Sequence, residues 1–541
     1  MAARAAKNIM IQGTMSNVGK SLLCAALCRV LHQDGYRCAP FKSQNMALNS
    51  GVTGDGLEMG RAQILQAAAA GIEPDVRMNP VLLKPTSDHR SQVIVNGEVL
   101  GDFTAREYFA KKKELIPGIL EAYRSLEKEN DVIVIEGAGS PAEINLKKDD
   151  IVNMGLAEMI DAPVLLVGDI DPGGIFAQLY GTVMLLEERE RSRIKGLIIN
   201  KFRGDVSLLE PGLKMLEEKV GIPVIGVLPY LPLDLDEEDS MASDLSKNAH
   251  DRPLDIAIIR FPRISNFTDF DPLRAHPMLG VRYVREEQEF GTPDLVILPG
   301  TKSTLSDLNW LRKSGLANRV REAAAGGTHI LGICGGYQML GEELIDPYGT
   351  EGYKDYKSTG YYADHSGDSG RLSMKTGFQR EGDPGQLPMK TNFQTECGLG
   401  LLPVRTVFQK EKARFLVRGT IRDGFLAGAN VYGYEIHTGK TQTCEDSNPR
   451  GRELHRADTG SDSISVCCRG NVCGTYLHGL FDSGEAVDLT AKLLAKKKGL
   501  REPSYVSDDR TKIRERQLDL LADAFRSNMD MDKIYRIIEV P

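Results

Sequence analysis

The chain has 541 residues, 41% of them hydrophobic and 26% charged, with a formal net charge of −8 at pH 7. That length exceeds one hydrophobic core and suits about two to four domains. The acidic balance argues against nucleic-acid and anionic-membrane partners, which call for a basic face, no apolar run approaches the roughly 18 residues of a membrane helix, and a strand begins too near the start to leave room for a signal peptide.

An apolar run at residues 9–11 predicts a strand, and the run at 22–27 predicts the start of a helix. Between them lies Gly13-Thr14-Met15-Ser16-Asn17-Val18-Gly19-Lys20-Ser21. A glycine-rich turn from strand to helix, closed by Lys-Ser, is a phosphate cradle: backbone N–H groups face the phosphates, Lys20 reaches the terminal ones, and the Ser21 hydroxyl suits Mg²⁺. Five residues separate Gly13 from Gly19, one more than the usual loop holds. The stretch resembles the variant loop of the dethiobiotin-synthetase-like ATPases, which implies ATP held by Gly13, Thr14, Asn17, Val18, Gly19, Lys20 and Ser21.

Residues 40–50 are dense in amides and hydroxyls. They read either as a polar loop or as a surface that hydrogen-bonds a carboxylate-rich substrate. Asp55, Glu58 and Arg61, spaced by three, fall on one face of a helix. That face is either solvated or, through Asp55, a position for Mg²⁺ or the phosphates. Residues 84–92 read as a polar turn ahead of a strand at 93–95. The β-branched run at 132–135 predicts a buried parallel strand. It ends in Glu136, and an acid at the C-terminal end of such a strand lies in the ligand crevice, which makes Glu136 a Mg²⁺ candidate. Asp149 and Asp150 are either reaction-centre acids or an exposed turn. Strand-like runs at 164–167, 197–199 and 224–228, separated by helical stretches, complete a doubly wound parallel sheet. Asn200 ends one of them, where such ATPases meet the base, although any strand end can carry an Asn.

The acidic stretch 233–240 and the polar run to Arg252 mark a boundary. The βα rhythm then restarts, with strands at 255–259 and 295–298. Cys334 stands between Gly332 and Gly335-Gly336, at the tip of a third strand and ahead of a helix. Small neighbours permit the sharp turn that exposes a nucleophile, and a helix start favours thiolate. The bland reading, a buried core thiol, is opposed by the glycine flanks. His478 and His437 compete as the base, and spacing alone does not choose. The remaining cysteines, Cys467, Cys468 and Cys473 among them, lack zinc-site spacing and read as core or surface thiols of a reducing, cytoplasmic protein.

Residues 332–341 together with Tyr476-Leu477-His478-Gly479-Leu480-Phe481 resemble the type 1 glutamine amidotransferase domain of the cobyric acid synthase branch. With the loop at 13–21, Glu-Gly-Ala-Gly-Ser at 136–140 and Met-Asn-Pro-Val-Leu-Leu-Lys-Pro at 78–85, the resemblance to the cobyric acid synthase family extends over roughly residues 7 to 490. It implies an α/β chain of two doubly wound domains: a P-loop-type, ATP-binding amide synthase with a parallel sheet (1–240) and a flavodoxin-like type 1 amidotransferase (252–490). An insertion at 349–397 carries a near-repeat, residues 374–379 against 389–394, and reads as a surface excursion. A helical tail (491–541) reads as packing that closes the second domain.

The resemblance also implies the chemistry. Cys334 attacks the glutamine amide, and His478 shuttles the protons. The N–H of Gly335 and one near Gly300-Thr301 form the oxyanion hole. ATP primes a carboxylate, and ammonia replaces the phosphate. The substrates are small molecules: ATP, glutamine and adenosylcobyrinic acid a,c-diamide, amidated at four peripheral carboxylates (b, d, e and g). Leu480 occupies the position at which many type 1 enzymes place a Glu, so a Cys-His pair is expected, with Glu435 as a candidate orienter. The rival readings are a cobyrinic acid a,c-diamide synthase and a switch ATPase with an inert amidotransferase-like module. The sequence gives no oligomeric state.

Overall fold

The computed structural model describes residues 6–87, 89–235, 252–351, 394–444, 463–464 and 466–540. Asp88, the middle of the boundary (236–251) and most of the expected insertion (352–393), with its near-repeat, lie outside the described residues.

The first parallel sheet runs Val224–Pro229, Ile194–Phe202, Val164–Asp169, Lys7–Gly13, Val132–Glu136, Cys38–Phe41. Every residue of Val132–Glu136 and Val164–Asp169 is buried, as helix-covered faces demand of a central strand. The chain leaves Lys7–Gly13 toward one edge and later returns to its other side, so the crevice at the C-terminal end of that strand is a topological switch point. The second sheet holds Leu254–Ile259, Leu279–Val284, Leu295–Leu298, His329–Ile333 and Val472–Thr475. Taken in chain order as strands 1 to 5, they lie 2-1-3-4-5, the flavodoxin order. Cys467–Arg469 adds an antiparallel edge. Two doubly wound α/β sheets are what the motifs implied.

Several local expectations are corrected. Residues 84–87 and 90–92 are strand rather than turn. They belong to the antiparallel strands Val81–Ser87 and Arg90–Val95, in which polar residues face one another, Lys84 with Gln92 and Ser87 with Arg90. Backbone ladder bonds form whatever the side chains, so polarity alone misled. Asp55, Glu58 and Arg61 share no helix. Ser50–Val52 and Glu58–Gly60 pair as short strands, and the helix Arg61–Ala69 starts only at Arg61. Gly54 and Gly56 flank Asp55 and favour a turn over a helix. Asp55 is exposed in that turn. Cys468 and Cys473 face each other on adjacent strands, 4.2 Å apart at Cα, and are disulfide-bonded rather than separate thiols.

The tail divides. Gly484–Lys497 packs into the second core. Arg510–Asn528 and Met531–Ile538 cross back to the first sheet, where Leu518, Leu521, Phe525 and Ile534 bury against Ile9, Ile11, Leu23 and Leu27. The outer face of the helix Lys20–Gln33 is apolar and needs this cover, and Arg29 fixes it with ion pairs to Asp519 (2.8 Å) and Glu515 (3.0 Å). Among the described residues no helix is long and apolar enough to cross a membrane.

Candidate functional site

Two centres form at the C-terminal ends of the two sheets. In the first, Gly13 ends its strand with no room for a Cβ, which would lie 2.5 Å from Val18 Cγ2, and Thr14 Oγ1 is 3.3 Å from Gln178 Oε1. Asn17 (φ 61°) and Gly19 (φ 94°) take left-handed conformations that curl the loop. Lys20 Nζ donates to the loop carbonyls of Met15 (3.0 Å) and Gly139 (3.3 Å), folded over the space that phosphates would enter. Ser21 Oγ donates to Glu136 Oε1 at 2.9 Å. Glu136 is buried and also receives Lys42 Nζ (2.8 Å) and Gln66 Nε2 (2.6 Å). Asn200 Nδ2 donates to the Val18 carbonyl (2.8 Å), which ties the strand end to the loop.

A cavity of about 1470 Å³ opens beside Lys20 and Ser21 and continues past Lys42, Asn45, Phe109 and Lys148. It exceeds the roughly 300–1,000 Å³ of ordinary small-molecule pockets. Of the polar stretch 40–50, Lys42, Gln44, Asn45 and Met46 line this cavity. Asp55 is not among the lining residues and is exposed in its turn, whereas Glu136 is buried against Ser21. Asp149 and Asp150 do line it, but Asp149 pairs with Lys113 (2.8 Å), and Asp150 accepts backbone N–H bonds from Val152, Asn153 and Gly155. The hydroxyl of Ser21 and the carboxylate of Glu136 form a hard oxygen pair suited to Mg²⁺, which keeps most of its shell for water and phosphate.

In the second centre, Cys334 sits between the strand His329–Ile333 and the helix Gly335–Leu340 with φ 51° and ψ −109°. A non-glycine residue held there is strained, which presents the side chain at the tip of the turn. A Cβ on Gly335 would lie 3.2 Å from the Thr301 nitrogen, and one on Gly300 would lie 2.9 Å from His478 Cε1. Gly300, Thr301, Gly335, Cys334 and His478 therefore meet. His478 is buried, with Nδ1 2.7 Å from Asp269 Oδ2, and the Cys334 thiol beside it donates to the Ile436 carbonyl at 3.6 Å. Burial pulls the His478 pKa down, but the Asp269 carboxylate overrides it, and with Cys334 contributing the ring is raised to about 10. Tyr434 stacks on the imidazole at 5.3 Å, and Asn266 Nδ2 lies 3.3 Å from Nδ1.

His437 is held elsewhere: it stacks on Tyr476 at 3.6 Å, and its Nδ1 meets the Gly439 carbonyl at 2.7 Å. Glu435 lies 3.5 Å from His437, so it does not orient His478. Asp269 fills that place, and it was missed. It lies in the short helical turn Phe267–Phe270, beyond the strand Leu254–Ile259, where no local pattern marks it.

Residues 255–381 and 384–486 match the family described as CobB/CobQ-like glutamine amidotransferase domain, and residues 9–242 match the CobQ/CobB/MinD/ParA nucleotide binding domain. The chain is 51% identical over 541 residues to a cobyric acid synthase of Ruminiclostridium cellulolyticum, covering 99% of this chain and 97% of that one. It is 51% identical over 554 residues to one of Lachnoclostridium phytofermentans, covering 99% of each.

Proposed function

The chain belongs to the cobyric acid synthase family, and from that premise we propose how its residues divide the work of a glutamine-hydrolysing, ATP-dependent amide ligase. With the proton of the Cys334–His478 pair carried on His478, Cys334 attacks the side-chain amide of glutamine. The resulting oxyanion meets the N–H groups of Gly335 and of the Gly300-Thr301 turn. His478 returns the proton to the leaving nitrogen, and the C–N bond breaks to give ammonia and a thioester. Water cleaves the thioester, releasing glutamate and restoring the thiol. Asp269 is a positioning residue: it touches no reacting atom, holds the ring by Nδ1 and keeps Nε2 for Cys334.

At the other centre, Gly13, Thr14, Asn17, Val18 and Gly19 cradle ATP, Lys20 faces its terminal phosphates, and Asn200 stands at the base end. Ser21 and Glu136 would hold Mg²⁺, which when bound offsets phosphate charge. A corrin carboxylate takes the terminal phosphoryl group, giving an acyl phosphate and ADP. Ammonia attacks that carbonyl, and inorganic phosphate and a proton leave. The substrate is adenosylcobyrinic acid a,c-diamide, converted at four carboxylates (b, d, e and g) to adenosylcobyric acid. The domains are 1–240 and 252–490, with Arg510–Ile538 as a cover of the first.

The observation that carries this division is the buried Asp269–His478 pair beside a strained Cys334, in a chain whose other half holds Lys20 and Ser21 at the wall of one cavity, with Ser21 hydrogen-bonded to Glu136. Incubation with ATP, Mg²⁺, glutamine and the corrinoid diamide, followed by mass spectrometry, tests it. Four successive exchanges of –OH for –NH₂ are expected. An unchanged diamide would sink the reading.

A further inference from the structure

The wall of the large cavity carries one buried cation that the described residues leave without an anion. Lys112 opens the helical turn Lys112–Leu115, directly after the helix Ala105–Lys111, and lines the cavity. It is 6% exposed. Among the described residues its Nζ has neither a hydrogen bond nor an ion pair, and it stands over the ring of Phe109, 5.4 Å from the centroid. Other cations of the wall are engaged: Lys42 pairs with Glu136 (2.8 Å), Lys147 with Glu187 and Glu190 (2.8 Å each), and Lys201 with Asp169 (2.8 Å). The two acids that act on Lys112 are committed as well. Asp149 pairs with Lys113 (2.8 Å), and Asp150 accepts the N–H groups of Val152, Asn153 and Gly155. Burial therefore pulls the Lys112 ammonium below the ordinary lysine value, and Asp150 and Asp149 only partly hold it up. A buried charge left without a close partner is costly, so the site favours an incoming anion.

The wall beside Lys112 is apolar. Met46, Phe109 and Leu146 line the cavity with their side chains exposed. The Tyr108 hydroxyl donates to Gln44 Oε1, which ties the helix of Phe109 to the strand Gln44–Met46. Exposed apolar side chains in a concave wall suit a ligand with a broad apolar face. A ligand that meets both demands is large, apolar across its face and carboxylated at its rim. The corrinoid of the functional reading has that chemistry.

We propose that Lys112 is the carboxylate receptor of the corrinoid site: its ammonium pairs with one of the four carboxylates awaiting amidation while another is phosphorylated, and the macrocycle lies against Phe109, Met46 and Leu146. The inference rests on the functional reading above and deepens it. Lys112 is a binding residue and takes no part in phosphoryl transfer. It also gives the site a direction. Each amidation exchanges an anion for a neutral amide, so the contact is available to the starting diamide and lost to the finished product, which leaves more readily.

Lys112→Met and Lys112→Arg test this in the full chain. Binding of adenosylcobyrinic acid a,c-diamide and of adenosylcobyric acid is measured by equilibrium dialysis, with a non-hydrolysable ATP analogue present. In Lys112→Met the diamide should bind roughly 10–100-fold more weakly, the value of one charged hydrogen bond. The product and the ATP analogue should bind as they do to the native chain. Lys112→Arg keeps the charge and should recover most of the loss. An unchanged diamide affinity overturns the assignment. An equal loss for diamide and product overturns it too, because the role would then be structural, and a matching loss for the ATP analogue would make Lys112 a phosphate ligand instead. If Lys112→Arg binds the diamide as weakly as Lys112→Met, charge is not the cause and the assignment falls. A native chain that neither binds nor amidates a corrinoid overturns the functional reading itself.

Discussion

Around Lys20 and Ser21 the chain leaves a cavity of about 1470 Å³, whereas Cys334, His478 and Asp269 are 8%, 1% and 2% exposed. The open centre is built from backbone and from one contiguous loop. The closed centre is built from three side chains brought from residues 269, 334 and 478. An ATP and a macrocycle need room and tolerate water nearby. A thiol that frees ammonia needs exclusion, because ammonia released into solvent is soon protonated and diluted. The contrast suggests that each centre can be silenced alone, and substitutions measure how far that holds.

Cys334→Ser should have the largest effect and the sharpest: glutamine-driven amidation falls roughly 10⁴-fold or more, as when a nucleophile is removed, while ammonia-driven amidation persists. If both nitrogen sources fail together, the two centres are not separable. Asp269→Asn should lower glutamine hydrolysis by about 10²–10⁴-fold, the range of general acid–base help. It should also move the alkaline limb of the pH profile. In the native chain His478 keeps its proton up to about pH 10. Its raised pKa therefore contributes stability that is full below about pH 6.5 and is lost as pH rises through about 10. With the Asp269 charge gone, burial is opposed only by Cys334, and the limb should move to lower pH. A limb that stays in place would exclude Asp269 as the cause.

Lys20→Met should reduce amidation from glutamine and from ammonia alike, by roughly 10²–10³-fold, the value of one electrostatic donor at developing charge, while leaving basal glutamate release intact. Tyr434→Phe is the smallest. It removes the hydroxyl that donates to the Ser50 carbonyl (2.8 Å) and accepts from Arg61 Nη1 (3.4 Å), each bond worth about 1 kcal/mol. It should lower glutamate release by only a few-fold, because the ring still stacks on His478.

How much of this the sequence disclosed follows the same division. The phosphate loop was legible because its parts are neighbours: strand, glycines, Lys20, Ser21 and helix occur in one stretch, and Glu136 follows from the strand-end rule. Cys334 was legible through its glycines. The choice of His478 over His437 came from the family resemblance and not from spacing, because both follow aromatic and glycine residues. Asp269 was not legible either. Its partner is 209 residues away, and nothing local distinguishes it from Asp271. The expected helix at residues 55–61 failed because a spacing of three was read without giving weight to Gly54 and Gly56. The hairpin at 81–95 was hidden by polar side chains on paired strands. The docking of Phe525 on the first sheet was hidden because an apolar helix face does not say which core it covers.

That last contact has a bearing on biogenesis. Leu518, Leu521 and Phe525 leave the ribosome some 500 residues after the strand Lys7–Gly13 that they shelter. The nascent amino-terminal unit therefore waits, with a greasy flank bare, while the whole amidotransferase unit is translated. Sealing comes last, and a nonsense codon near residue 505 should spoil nucleotide handling before it touches the thiol chemistry.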